Sequence, residues 1–392
     1  MTGGPVVGPE HRARVLELAE RGLGRVAPNP PVGALVLDEA GTVVGEGYHV
    51  LARRHHAEVA ALEDAGDRAR GGTVVVSLEP CSSHGRTPPC SDALLAAGIR
   101  RLVALLPDPD PRHRGRGFEL LREAGMEVVV EPAGSPWREK AAVVVAAFCC
   151  RAIHRRPLVT LKAATSLDGR VAAASGESQW ITGESARRRV HELRRDAQAV
   201  LVGVGTVLAD DPRLTVRLPG VESDGPLRVV LDPRLRTPPT ARLFAEPDEG
   251  EAGGPVLVVH AEDAEPGTRE RLRAAGAELL ALPVDEEGGF DLPALLAALE
   301  TRDVLELFVE GGGITAGRFL PHVDRLVLHL APLVLGGAGP AAVFSSFGAE
   351  SLADGVRFHR MEQSRHDHDI ELEAWRDGGF DPVQLAAADP TA

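Results

Sequence analysis

The sequence predicts an α/β protein built as two successive layered domains, and three observations carry that expectation. At 392 residues the chain is longer than one compact core accommodates. Short β-branched runs alternate with stretches of helical periodicity along most of its length. The polar, proline-bearing join Ile153-His154-Arg155-Arg156-Pro157 then interrupts that rhythm. The expected boundaries are a first domain over 1–153, a second over 157–380 and a loose tail over 381–392.

In the first domain, residues 10–22 set Val15, Leu16, Leu18 and Ala19 on one broad helical face and stop at a glycine, which reads as a helix. The prolines of Ala27-Pro28-Asn29-Pro30-Pro31 forbid regular pairing, so this stretch is a loop able to lean over a site. Asn29 offers it an amide donor and acceptor suited to a pyrimidine edge, or simply a turn. Residues 34–38 and 42–47 read as a hairpin turning at Glu39-Ala40-Gly41. A helix over 56–66, a buried β-branched strand over 73–78 and a helix over 91–97 opened by Cys90 follow. The runs 101–106, 117–124 and 127–131 continue as strand, helix and strand, and 135–151 reads as one helix leading into the join.

The second domain opens with a strand over 158–163 that runs into the polar stretches 165–170 and 175–182. A loop following a buried strand is where α/β proteins hold ligands. An Arg-rich helix over 185–196 precedes the strand 199–203 and the segment 204–212. Further strands are expected over 228–231, 256–260, 278–282, 305–309 and 325–330, with helices near 268–275, 292–300 and 314–320. The acidic stretch 246–254 is a surface loop. Phe308-Val309-Glu310-Gly311-Gly312-Gly313 closes a strand and opens a helix, exposing backbone N–H groups that suit a phosphate. Residues 357–375 read as two antiparallel strands. Within them His366-Asp367-His368-Asp369 lacks a third ligand nearby in sequence, so a polar edge or hairpin tip is expected there and not a metal site.

Hydrophobic residues at 44% and charged residues at 26% are ordinary globular values, and no apolar run reaches the roughly 18 residues of a membrane span. Residues 1–9 lack the basic and apolar parts of a secretory leader, so a soluble, cytoplasmic protein without a membrane partner is expected. A net charge of −14 opposes nucleic-acid binding, which rests on neutralising phosphates. It leaves room for a few arginines around a small anion. Four cysteines do not make a disulfide framework, and Cys149 and Cys150 sit in an apolar run that reads as core.

The chemistry concentrates in His56-Ala57-Glu58, Glu79-Pro80-Cys81 and, after eight intervening residues, Cys90. One imidazole and two thiolates form a three-ligand zinc site whose fourth position is left to water, the arrangement of a catalytic zinc. Glu58 remains free to move protons, as the non-ligating glutamate of zinc deaminases does. Ligands at adjacent helix starts also lie at the positive end of the helix dipole.

These residues, with Pro28-Asn29-Pro30, Gly45-Glu46-Gly47-Tyr48-His49, the stretch from Leu78 through Cys90 and Asp108-Pro109-Asp110-Pro111, resemble the bifunctional riboflavin-biosynthesis deaminase/reductase family. Ser166-Leu167-Asp168-Gly169, Gly176-Glu177-Ser178-Gln179-Trp180-Ile181-Thr182 and Val207-Leu208-Ala209-Asp210-Asp211-Pro212 are similar to its reductase half, so the likeness covers nearly the whole chain. The insertion between the cysteines is its most specific mark, since nucleoside and tRNA deaminases have them two residues apart. The resemblance implies a cytidine-deaminase-like layered α/β/α domain followed by a dihydrofolate-reductase-like α/β domain. The first would use Zn2+ to deaminate 2,5-diamino-6-ribosylamino-4(3H)-pyrimidinone 5′-phosphate. The second would reduce the ribosyl group of the product with NADPH, giving 5-amino-6-ribitylaminouracil 5′-phosphate.

By matched positions the resemblance implies that His56, Cys81 and Cys90 hold the metal and that Glu58 is catalytic. The cofactor would meet Ala164, Trp180, Thr206, Asp210 and the run Gly312, Gly313, Ile314, Thr315, Ala316, Gly317 and Arg318. The phosphorylated substrate would meet Ser178, Arg194, Leu214, Arg217 and Glu310, the two arginines offering forked hydrogen bonds to phosphate. A homo-oligomer is the family expectation. Two other readings of the residues stand beside this one: a single-function deaminase with a regulatory second half, and a scaffold in which zinc only holds the fold.

Overall fold

The computed structural model describes residues 7–51, 55–82, 88–177, 180–220, 224–337 and 342–387. The chain divides into two compact units, one formed by residues 1–155 with 381–392 and the other by 156–380.

The first unit begins with α1 (Pro9–Glu20), which buries Val15, Leu16, Leu18 and Ala19. Strands β1 (Gly33–Leu37) and β2 (Val43–Tyr48) form the antiparallel hairpin. After α2 (Ala57–Ala65) come β3 (Thr73–Val76), α3 (Cys90–Ala96), β4 (Arg101–Ala104), α4 (Arg116–Glu123) and β5 (Glu127–Val130). The sheet order is β2-β1-β3-β4-β5, with β3, β4 and β5 parallel. Alternate strand residues such as Ala34, Val36, Val74 and Val76 pack with Ala57, Ala61, Leu94, Phe118 and Leu121 of α2, α3 and α4 into one core. A Cβ on Gly47 would lie 2.2 Å from the Ala57 carbonyl oxygen, and one on Gly45 equally close to that of Ala61. The two glycines thus let α2 lie directly on β2, which fixes where His56, just before α2, can point.

Where one helix was expected over 135–151 there are two, α5 (Pro136–Val144) and α6 (Ala146–His154). Val145, at φ −97° and ψ 13°, leaves the helix between them. Three consecutive valines, Val143, Val144 and Val145, weaken helix propensity at that point.

The second unit contains β6 (Leu158–Ser166), α7 (Glu184–Asp196), β7 (Ala199–Gly203), α8 (Val204–Asp210), β8 (Leu227–Leu231), β9 (Val256–Ala261), α9 (Pro266–Ala274) and β10 (Ala277–Leu282). It continues with α10 (Leu292–Glu300), β11 (Glu306–Val309), α11 (Gly313–Phe319), β12 (Arg325–Ala331), β13 (Phe358–His366) and β14 (Asp369–Arg376). These strands form one sheet in the order β10-β9-β8-β7-β11-β6-β12-β14-β13. The strands from β10 to β12 are parallel, and β14 and β13 are antiparallel to their neighbours. Successive residues feed opposite cores: Leu201 and Leu307 one, Val200, Val202 and Phe308 the other.

One expectation is corrected here and one unassigned segment gains a structure. β6 runs on to Ser166 because β12 pairs with it as far as Ala331, so Thr165 and Ser166 belong to the strand and not to a loop. The segment after β7 is the helix α8, which buries Val204 and Val207.

Asp324, wholly buried before β12, accepts both Arg156 Nη1 at 2.6 Å and Nη2 at 2.7 Å, the Val159 N–H at 2.9 Å and the Phe380 N–H at 2.9 Å. It holds both ends of this unit. Asp324→Ala is expected to cost about 3–5 kcal/mol, because the Arg156 guanidinium loses its carboxylate and the Val159 and Phe380 N–H groups lose this acceptor. Chemical denaturation of the second unit, followed by circular dichroism, measures this loss.

The tail is not loose where it is described. Phe380 is buried, and α12 (Pro382–Ala387) packs on α5 of the first unit, burying Pro382 and Ala386. Two apolar residues four apart are enough to seat a short helix, a pattern too brief to read as periodic.

Candidate active sites

In the first unit, β3 continues through Ser77, whose hydroxyl accepts the Gly33 N–H at 3.0 Å, into Glu79-Pro80-Cys81. The buried Glu79 carboxylate accepts three N–H groups, from Asp108 at 3.0 Å, Gly115 at 2.9 Å and Gly117 at 2.9 Å. It caps the start of α4 and anchors the turn that delivers Cys81. Cys90 opens α3 with its N–H 3.3 Å from Cys81 Sγ, and the Ser91 N–H donates to the Cys81 carbonyl at 3.2 Å.

Three ligand atoms converge. His56 Nδ1 lies 3.1 Å from Cys90 Sγ and 3.6 Å from Cys81 Sγ. Zn–N and Zn–S bonds at tetrahedral angles set N and S roughly 3.5 Å apart, so the three residues fit a zinc ion with little adjustment. Hydrogen bonding from Cys90 holds the Cys81 thiol well below its ordinary range and pushes that of Cys90 up. A bound metal would deprotonate both. Glu58, in the first turn of α2, is 4% exposed, and burial with the neighbouring Cys81 charge pushes its carboxyl up to about 7. It is not one of the converging ligands.

Beside the ligands lies a histidine that the sequence reasoning passed over. His49 Nδ1 is 2.8 Å from the His55 carbonyl oxygen, which can only accept, so Nδ1 carries the proton. His49 Nε2 then accepts from Asn29 Nδ2 at 3.1 Å. Burial lowers the His49 pKa, which keeps the ring neutral in this role. The Asn29 amide is thereby oriented, its Nδ2 held by His49 and its oxygen left as the acceptor. The signal available in sequence was the short spacing of His49 from His56, which says nothing of a bond to Asn29. A cleft of about 100 Å³ lined by Glu79, Pro80, Cys81, Ser82, Asp108 and His113 adjoins the site, and burial raises the Asp108 carboxyl to about 6. Residues 83–87 of the insertion between the cysteines lie outside the described residues.

In the second unit the candidates gather at the carboxyl ends of the adjacent strands β7, β11 and β6, where an open parallel sheet places its ligands. Thr206 on α8 approaches α11, its Oγ1 accepting the Gly312 N–H at 3.3 Å. A Cβ on Gly203 would come 2.5 Å from Thr315 Oγ1, so Thr315 points back at β7. Ile314 is exposed, whereas Ala316 and Gly317 are buried, the latter against Ser346. Arg318, at the far end of α11, donates to the Glu287 carbonyl at 3.3 Å. The run Gly312 to Arg318 therefore offers a ligand its first residues only, which narrows the expected contact. Asp210 closes α8, and Ala164 lies on β6, half-buried. Trp180 is 68% exposed with the Arg187 guanidinium over its ring at 4.6 Å, a free face and not core. Ser178 lies outside the described residues.

Arg194 already has partners within the chain. Its Nε and Nη2 grip Glu310, the latter at 2.8 Å, and its Nη1 donates to the Thr215 carbonyl at 3.0 Å. The fork expected to take phosphate is thus engaged by a carboxylate. Arg217 lies against His191, and desolvation with the charges of Arg194, Arg242 and Arg213 pushes its pKa down despite Glu251. Burial and the charges of Arg194 and Arg217 bring His191 down to about 4. That surplus of positive potential suits an anion. Leu214, buried at φ 57°, holds a strained turn between these groups. Sequence reasoning missed Lys162 on β6. Burial lowers its pKa, while Glu310 opposes that shift and Arg194 adds to it. A lysine inside an apolar strand run is visible in the sequence, but its carboxylate neighbour is 148 positions away.

The first unit is thus of the zinc-dependent pyrimidine-deaminase class, and a parallel-sheet reductase unit of the dihydrofolate-reductase type follows it. Residues 10–106 match the cytidine and deoxycytidylate deaminase zinc-binding region, and 157–371 match the RibD C-terminal domain. Riboflavin biosynthesis protein RibD of Aquifex aeolicus is 42% identical over 91% of this chain and 95% of its own. Among solved structures, Acinetobacter baumannii RibD superposes with a TM-score of 0.78 at 35% identity, covering 93% of this chain and 98% of that one. The diaminohydroxyphosphoribosylaminopyrimidine deaminase/5-amino-6-(5-phosphoribosylamino)uracil reductase of Thermotoga maritima gives 0.77 at 34% identity, covering 93% and 97%. The chain belongs to the RibD family of riboflavin biosynthesis proteins. It is a bifunctional deaminase/reductase, and zinc and NADPH are the cofactors that fit it. No helix of the described residues is long and apolar enough to cross a membrane.

Proposed function

We propose that the chain hydrolyses the amino group of 2,5-diamino-6-ribosylamino-4(3H)-pyrimidinone 5′-phosphate and then reduces the ribosyl chain of the product to ribityl. The observation that carries this reading is the convergence of His56, Cys81 and Cys90 beside a buried, non-ligating Glu58. Zinc held by those three residues supplies the Lewis acidity that makes water a nucleophile at neutral pH. Glu58 takes a proton from the attacking water and passes one to the departing amine. Asn29, held by His49, presents its oxygen to a donor on the pyrimidine edge.

In the second unit Ala164, Thr206, Asp210 and the opening residues of α11 would hold NADPH, with Trp180 as a flat wall, and the cofactor would supply the hydride. Lys162 and the Arg194–Glu310 pair face the ribosyl chain, the pair accepting and donating hydrogen bonds to its hydroxyls. Arg217 takes the 5′-phosphate, with Ser178 and Leu214 beside it. The protein works in the cytoplasm as a homo-oligomer, on a small phosphorylated substrate and not on nucleic acid.

Turnover of the diaminopyrimidine with and without NADPH tests the whole reading: ammonia should appear in both cases and NADPH oxidation only after it. Ammonia release without any NADPH consumption would reduce the second unit to a regulatory module. Arg217→Ala is expected to raise the reductase KM about 10-fold or more through lost phosphate binding, with the deaminase KM nearly unchanged. Steady-state kinetics on each substrate separately decides this, and equal changes in both would place Arg217 elsewhere.

A further inference from the structure

The antiparallel end of the second sheet carries a cluster that neither activity uses. His329 on β12, His366 on β13 and Glu371 on β14 offer one ligand atom each, all within 4.8 Å of one another. Strand register brings them together: His329 pairs with Glu371, and His366 pairs with Asp369, which shares a face with Glu371. His329 Nε2 lies 2.7 Å from Glu371 Oε2, and His366 Nε2 lies 3.3 Å from the same oxygen. His329 is wholly buried, and its Nδ1 has no hydrogen-bond partner among the described residues.

We propose that His329, His366 and Glu371 form a second divalent-metal site of the zinc class, which fastens the edge strand β13 to β14 and β12. Two imidazoles and a carboxylate are an established zinc donor set, and tetrahedral coordination separates such ligand atoms by roughly 3.3 Å. Of the three separations, His366 to Glu371 already has that value, His329 to Glu371 must open by about half an ångström, and the two histidine nitrogens lie within 4.8 Å of each other. A metal would take the place of the proton that His329 Nε2 donates to Glu371 in this structure.

The opposing charges are Arg189 and Lys162. Arg189 Nε stands 3.6 Å from Glu371 Oε2, but its Nη1 is also 3.4 Å from Glu192 Oε2, so the guanidinium has a second carboxylate to turn to. Burial weakens the Lys162 charge, and Glu310 faces it.

Cobalt(II) titration of the full-length, metal-stripped protein tests the site. Two equivalents are expected. One shows thiolate-to-cobalt charge transfer from Cys81 and Cys90; the other shows ligand-field bands alone. His366→Ala, at the sheet edge, should weaken the second equivalent by at least about 100-fold while sparing the thiolate bands and ammonia release. His329→Gln, which keeps a hydrogen bond to Glu371, should do the same. A wild-type protein that takes up one equivalent only, or a second equivalent that survives both substitutions, overturns the proposal.

Discussion

Glu58→Gln is expected to lower ammonia release by about 10²- to 10⁴-fold, at the upper end because one carboxylate serves both proton transfers. The amide keeps the shape of the side chain and its hydrogen bonding inside the buried pocket, so zinc content measured by atomic emission should stay at the wild-type level. Handed the deaminated intermediate, the variant should still oxidise NADPH, since every group assigned to reduction lies between Lys162 and Arg318. Handed the diaminopyrimidine, it should oxidise almost none. Loss of both activities in a folded, zinc-loaded variant would show that the two reactions do not have separate catalytic sites.

Cys90→Ser is expected to have an effect of the same order by a different route. Cys90 is fully buried and its sulfur sits 3.1 Å from His56 Nδ1, so a neutral hydroxyl there leaves two of three ligands intact and the metal poorly held. Ammonia release should be abolished and zinc lost on dialysis, whereas the Glu58 variant retains its metal. Normal deamination at full zinc occupancy would remove Cys90 from the metal shell. The two variants together separate loss of the proton carrier from loss of the metal.

The first unit was largely legible from sequence because its chemistry lies at element ends, and element ends carry local signals. A buried β-branched strand leads to Cys81, and Cys90 and His56 each stand at a helix start. The part that was not legible depends on contacts between segments. Nothing local reveals that His49 orients Asn29, or that the fork of Arg194 closes on Glu310 far along the chain. His366 makes the same point more sharply. Judged among its sequence neighbours it lacked a third ligand, and strand pairing supplied two from β12 and β14. The break at Val145 and the helix α8 were missed for a different reason: a run of three valines weakens a helix without marking where it stops, and seven residues are too few to show a helical period.

The clasp at Asp324 also bears on how the chain folds. Because Arg156 and Phe380 meet on one carboxylate, the second unit begins and ends at the same place, and the segment beyond it returns to α5 as α12. If 156–380 were unfolded, seating α12 would mean closing a loop of about two hundred residues, an entropic cost of roughly 4 to 5 kcal/mol. Once folded, that unit replaces the loop with a rigid span whose ends already touch, and most of the cost disappears. The order of events is therefore built into the topology: the final helix docks late, and it is the first part of the deaminase unit to leave when the reductase unit melts.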